Sequence, residues 1–260
     1  MPRSPRMSFI PRVTAAMGIG LLFFANVALG DTLIVEPEQL SLSASRPVAD
    51  LQFQNSSAEE TTLRFEVRQW LQEGERERLT PSTKLIVLPE KITLQPGESG
   101  KIRVALRLSA PWWEEEAFQI LVTETPPVPD MGAKKAHSSS RVIRRSSVPV
   151  FLLPPGQAHP RVTWSFERNR EGYVILRASN CGQGHMRLNS ATLLGPAGQS
   201  LDKRNLSDIL LPGGARSWAL APDAPAGLWY LIADTNAGPM RAEIELEPDN
   251  SAARALSFSP

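Results

Sequence analysis

Apolar and polar residues alternate along most of this chain, and that period of two constrains its fold more than any other feature. Leu51 and Phe53, then Leu63, Phe65 and Val67, then Ile102, Val104, Leu106 and Leu108 stand two apart, with Lys101, Arg103 and Arg107 in between. Side chains of a strand point alternately to its two faces, so the pattern describes strands buried on one side. Helical spacing is scarce, and 23 prolines with 17 glycines cut the chain at short intervals. The expected fold class is therefore all-β, in sandwiches. The stretch "IVLPEKITLQPGESGKIRVALRL", residues 86–108, reads as two strands hinged on a Pro-Gly turn.

A chain of 260 residues has room for two ordinary domains. Residues 1–30 are set aside first. Arg3, Arg6 and Arg12 precede the apolar run "VTAAMGIGLLFFANVALG", and Ala28-Leu29-Gly30 offers small residues where a signal peptidase reads. The run is shorter than the ~20 residues a membrane-spanning helix needs, so cleavage after Gly30 is expected rather than anchoring. Nothing later in the sequence has the form of a transmembrane segment, and the expected location is the periplasm. With those three arginines and no acid removed, the formal charge falls from +1 to −2, which argues against nucleic acid as a partner. Cys181 is the one cysteine, so stability rests on packed cores rather than on an internal disulfide.

The cluster in "FLLPPGQAHPRV" interrupts the alternation, which restarts at Val162, Trp164 and Phe166. The expected units are residues 31–155, residues 156–247 and a loose tail, 248–260. The second unit repeats the plan of the first, since "LLPGGARSWAL" echoes "LQPGESGKIRVAL". Its further strands are expected at 173–177, 186–188, 191–194, 228–232 and 241–246. Trp164, Trp218 and Trp229 read as its core. One connection is long: residues 131–140 are small, polar and basic, and lead into a strand at 141–151.

No Gly-x-Ser-x-Gly elbow, phosphate-cradling loop or His-Glu-x-x-His run occurs. Cys181 and His185 fall short of the four ligands of a structural zinc site, and read as a buried thiol and a surface imidazole. His137 and His159 fall in loops. No enzyme, cofactor or metal is expected. Trp112-Trp113 with Glu114-Glu115-Glu116 reads as a turn with one indole tucked over the core.

In order, "IVEPEQLSLS", "LQFQNSS", "FEVRQWLQEGERERLTPSTKLIVLPEKITLQPGESGKIRV", "FQILVTETPP" and "SSVPVFLLPPG" resemble the immunoglobulin-like chaperones of pilus assembly. "SNCGQGHMRLNSATLL" and "LLPGGARSWAL" look most like the archaic branch that serves spore-coat-like pilins. The resemblance covers residues 32–246. It implies two β-sandwiches in a boomerang arrangement, acting in the periplasm on pilin subunits delivered to an outer-membrane usher. It also implies donor-strand complementation, in which the last strand of the first sandwich is lent to a subunit that lacks its own. Here that strand is residues 141–151, with Val142, Arg144, Ser146, Val148 and Val150 on the face assigned to the client. Pro149 cannot donate to a ladder, so it caps the pairing or faces outward.

The family's carboxylate-anchoring basic residues align with Gln39 and Gln119, both neutral, which leaves Arg103, Arg107, Arg144 or Arg145 as substitutes. An arginine that often follows the donor strand is replaced by Leu153, which weakens the expected interdomain ion pair. Arg144 and Arg145 also fit a plainer account, a charged edge that discourages self-pairing. Two rivals are a structural pilus subunit or secreted adhesin made of two sandwiches, and a secreted hydrolase with an accessory sandwich. The first would polymerise through its own N-terminal strand, whereas residues 31–42 read as an integral first strand.

Overall fold

The computed structural model describes residues 33–107, 112–125, 144–195, 197–222, 226–246 and 254–259. Residues 1–30, the loop 131–140 and Val142 lie outside the described residues. Among the described residues there are eighteen strands and no helix, as the alternation requires.

The first ten strands are β1 (Leu33–Glu36), β2 (Leu40–Leu42), β3 (Val48–Asn55), β4 (Thr61–Glu73), β5 (Arg76–Pro81), β6 (Leu85–Leu88), β7 (Lys91–Leu94), β8 (Ser99–Leu106), β9 (Glu116–Thr125) and β10 (Arg144–Leu152). They form two sheets, in the orders β1-β3-β8-β6 and β2-β10-β9-β4-β5, with β7 also on β4. Between the sheets Leu51, Phe53, Ile102 and Val104 meet Leu63, Phe118, Ile120 and Val122, all at most 1 % exposed. Each such side chain contributes roughly 1.5–3 kcal/mol by leaving water.

The remaining strands are β11 (Val162–Arg168), β12 (Tyr173–Asn180), β13 (Met186–Leu194), β14 (Ser200–Leu210), β15 (Ala215–Pro222), β16 (Gly227–Thr235), β17 (Gly238–Leu246) and β18 (Arg254–Ser259). Their sheets run β11-β12-β15 and β14-β13-β16-β17-β18. Trp229, Leu176, Leu188 and Ile244 are fully buried between them, with Trp164 and Phe166. Trp218 is only partly buried, and its indole N–H donates to Asp208 at 2.8 Å.

Three sequence expectations are corrected. The stretch 86–108, expected as two strands, holds three: β6 and β8 pair in one sheet while β7, between them in sequence, pairs with β4 in the other. The Pro96-Gly97 turn is a corner between sheets. Residues 186–188 and 191–194 belong to one strand, β13, whose register against both neighbours shifts between Leu188 and Ser190. Leu188 and Ala191 are both buried although three apart, and the bulge at Asn189 absorbs the odd spacing. The tail expected to be loose carries β18, antiparallel to β17.

Candidate functional site: the open flank of β10 and the joint beside it

Strand β10 is bonded on one side along its whole length and on the other only at its end. Against β9 the antiparallel register runs from Arg144 opposite Glu124 to Leu152 opposite Glu116. Against β2 the parallel register holds only Val150, Phe151 and Leu152. Residues 144–149 therefore present one flank with no strand on it among the described residues.

The backbone direction on that flank can be read from the far end. The N–H of Leu153 donates to the carbonyl of Leu42 on β2, at 2.8 Å. Since N–H and C=O groups of successive strand residues point to opposite sides, Phe151, Pro149, Ser147 and Arg145 share that side. Arg145 and Ser147 thus offer an N–H and a C=O each to the open flank, and Pro149 offers a carbonyl alone. Pro149 costs the β9 ladder nothing and blunts the edge, which decides between the two roles the sequence left for it.

Side chains change character along β10. Arg144, Arg145, Ser146 and Ser147 are exposed, whereas Val148 and Val150 are 4 % and 0 % exposed in the chain's own core. Of the face expected to meet a client, Arg144 and Ser146 stand at the surface. Val148 and Val150 do not, because β2 and β9 seat this end of the strand over the first core. The opposite face at this end is also covered: Phe151 joins Trp70, Ala117 and Leu211 in a small buried cluster, with Leu153 and Ile209 packed on it.

That cluster is a joint between the two pairs of sheets. The hairpin β4–β5 projects into it, and its tip is bonded to the turn before β15. The buried Gln72 side chain accepts from the Leu211 N–H at 2.9 Å and donates to the Ile209 carbonyl at 2.9 Å. Gly74 donates to Gly213 O at 3.1 Å and accepts from the Ala215 N–H at 2.7 Å. A Cβ on Gly214 would stand 2.0 Å from Gln72 Oε1, so any other residue here would displace the Gln72 side chain. Glu75 accepts from Arg177 at 2.6 Å and from Ser217 at 2.5 Å, and Glu77 pairs with Arg216. Burial pushes the Arg216 guanidinium below its ordinary pKa, with Glu75 partly opposing. Leu153 accordingly packs, while the ion pairs of the joint lie on the hairpin.

Behind Phe151, the His185 ring stacks at 3.7 Å and 5°, and its Nδ1 lies 2.7 Å from Glu115 Oε1, which also accepts the His185 N–H. His185 is only 12 % exposed while Cys181 is exposed, the reverse of the expected buried thiol and surface imidazole. A cleft of about 810 Å³ opens alongside, with Trp70, Trp112, Gln183 and Pro212 in its walls. Trp112 packs on the first core, and Trp113, also in the wall, is 78 % exposed.

The anchor candidates scatter. Arg103 lies on β8, in the sheet that does not contain β10, and its guanidinium grips Asp50 at 2.9 and 3.3 Å. The hydrogen bond from Arg103 is the largest cause holding the Asp50 carboxyl down at about 2. Arg107 is exposed just past the end of β8. Gln119 is half-buried, between Arg68 on β4 and Pro149 on β10. Gln39 accepts from Arg187 of β13 at 2.6 Å, so a cation reaches this position from the other pair of sheets. Sequence reading missed Arg187, Gln72 and the joint. One signal was available: 13 residues of β4 exceed the usual strand of about 5–6.

Residues 32–158 match the model of the PapD N-terminal domain of pili and flagellar-assembly chaperones. Over that stretch, just under half of its length, the chain is similar to this domain. No curated protein matches it by sequence. Among solved structures, a chain of the CsuC–CsuE chaperone–tip adhesion subunit pre-assembly complex from the archaic Csu pili of Acinetobacter baumannii aligns at TM-score 0.59 and 19 % identity, over 82 % of this chain and 97 % of that one. The CupB2 chaperone of Pseudomonas aeruginosa gives 0.52 and 16 %, over 82 % and 100 %. A chain of the Salmonella enterica complex of SafA pilin with the SafB chaperone gives 0.54 and 14 %, over 80 % and 94 %. At such identities the likeness is one of fold: two β-sandwiches.

Proposed function

We infer that this chain is a pilus-assembly chaperone that holds an incomplete pilin subunit by adding β10 to it as the missing strand. The observation that carries this reading is the one-sided pairing of residues 144–149. A sandwich lacking a strand exposes an unpaired edge and an apolar groove, and both aggregate. The β10 flank supplies the backbone partners, and the exposed side chains of Arg144 and Ser146 are offered to the groove. Val148 and Val150 stay in the chaperone's own core and stiffen the donor. The solved complexes of similar fold, chaperone with pilin or tip adhesin, support the same use of this fold. A self-polymerising pilus subunit would need its N-terminal strand free, whereas β1 is paired with β3 and β2 with β10.

The functional units are taken as residues 31–155 and 156–247, supported by the fact that no sheet is shared between β1–β10 and β11–β18. Export is assigned to residues 1–30, with cleavage after Gly30 and action in the periplasm. Delivery is to an outer-membrane usher. The anchor for the client's terminal carboxylate is assigned to Arg187 beside Gln39, with Arg145 and Gln119 lining the path to it, and Arg103 and Arg107 are set aside.

Co-expression with a fimbrial subunit tests the reading. Wild-type chaperone should give a one-to-one complex, and Ser147→Pro, which deletes one of the two N–H donors that the described residues offer on the open flank, should lose it while its own melting temperature shifts by no more than a few degrees. Arg187→Gln should weaken the complex about tenfold, the scale of one charge-assisted hydrogen bond, and Arg103→Gln should leave it unchanged. A Ser147→Pro chaperone that still retains its subunit sinks the proposal.

A further inference from the structure

Beyond the edge of β10, the outer face of its sheet carries a row of cations fixed by strand register. Arg145 on β10 stands opposite Thr123 on β9, Thr123 opposite Arg64 on β4, and Arg64 opposite Lys91 on β7. All four residues lie on the face away from the core, as the exposure of Arg145, Arg64 and Lys91 and the burial of Val122, Leu63 and Phe65 require. Neighbouring strands lie about 4.8 Å apart, so the row extends about 14 Å from the open edge across the sheet.

No acid stands in this row or in the next one outward, where Thr125, Thr62 and Thr93 are in register. In the row on the other side, Glu66 is taken by Arg68 on its own strand. None of the ion pairs among the described residues involves Arg145, Arg64 or Lys91. Three like charges aligned across a sheet repel one another, which is destabilising in the chain on its own. An acidic partner laid over them reverses the sign of that contribution.

We propose that this row selects for clients that are acidic on the outer face of the strand added to β10 and on the segment next to it. The inference rests on the strand-addition reading. A guest strand on the open flank extends the row by one position, and the guest residue opposite Arg145 becomes its direct cross-strand neighbour. Arg64 and Lys91, about 10 and 14 Å further in, act on whatever part of the guest overhangs the sheet. At physiological salt the screening length is about 8 Å, so the nearest cation dominates and the other two count chiefly at low salt. The selectivity is distinct from anchoring of a chain-terminal carboxylate, because it reads side chains in mid-strand.

Three synthetic twelve-residue peptides of alternating valine and threonine test this, one unmodified, one with glutamate and one with lysine at two of the threonine positions. Binding to the full-length mature chaperone is measured by calorimetry at low and at high salt. The acidic peptide should bind about tenfold tighter than the neutral one at low salt, the basic one weaker, and the differences should shrink at high salt. In the Arg64→Gln, Lys91→Gln, Arg145→Gln chaperone all three peptides should bind alike. These changes are on the surface, and an unchanged melting temperature confirms the fold. Equal binding of the three peptides to wild type overturns this inference and leaves strand addition standing. Binding of none of them overturns strand addition and this inference together.

Discussion

Each sandwich turns one corner with the same device, and only one of the two corners is left to solvent. In the first, the fully buried Asn55 donates to the Leu94 and Glu59 carbonyls, and its backbone bonds Gly97 and Glu98 of the turn. In the second, Asn180 donates to the Leu210 and Gly184 carbonyls, and its backbone bonds Gly213 and Gly214. Gly97 and Gly213 take φ of 77° and 76°, left-handed values that cost glycine little. The first corner, residues 95–98, is exposed, whereas Leu211 and Gly214 at the second are buried under the β4–β5 hairpin. A corner locked by one asparagine is rigid enough to be a docking post, and this chain uses the second as one.

The sharpest way to break that contrast is to empty the joint. Phe151→Ala should cost about 3–5 kcal/mol, and urea unfolding, followed by tryptophan fluorescence, should split into two transitions where the wild type has one. Next come the locks themselves. Asn180→Ala should cost about 3 kcal/mol and exceed Asn55→Ala by about 1 kcal/mol, because it loosens the docking post along with its own corner. A larger loss for Asn55→Ala would reverse the assignment of the post. Smaller again is the pair of glycines: Gly214→Ala should cost about 2 kcal/mol by driving Gln72 out of its seat, against about 1 kcal/mol for Gly97→Ala, which meets only open space.

The smallest effect lies furthest from the joint, at Asp50. Its carboxyl is lowered to about 2 in the folded chain, so its contribution is present above its ordinary value near 3.8 and is lost as pH falls through about 2. Wild type should therefore be slightly more stable than Asp50→Asn above pH 4, and the two should converge near pH 2, measured by thermal melts across that range. The pair is exposed, so the difference is small.

The sandwiches were legible because burial on one face imprints a period of two, as at Ile102, Val104 and Leu106. The repeated Leu-x-Pro-Gly was legible as a turn, but the sheet that each flanking strand would join was not. That choice depends on Asn55 and Asn180, and nothing in their local sequence distinguishes a buried asparagine from one in a loop. The donor strand was found as a segment, yet the point where its side chains pass from surface to core, between Ser146 and Val148, is fixed by β2, a strand about a hundred residues earlier. Arg187 and Gln72 act across the joint, through contacts 148 and 139 residues apart, and no periodicity carries information over that span.

The parallel seat of β2 on residues 150–152 has a consequence for whatever pairs with β10. A strand sliding along the open flank runs into β2 as an end-stop, so the flank works as a ruler with one closed end. Slipping by two residues would preserve the facing of every side chain and is otherwise the cheapest mistake a sheet can make. Here it is barred in one direction by a neighbour already in place.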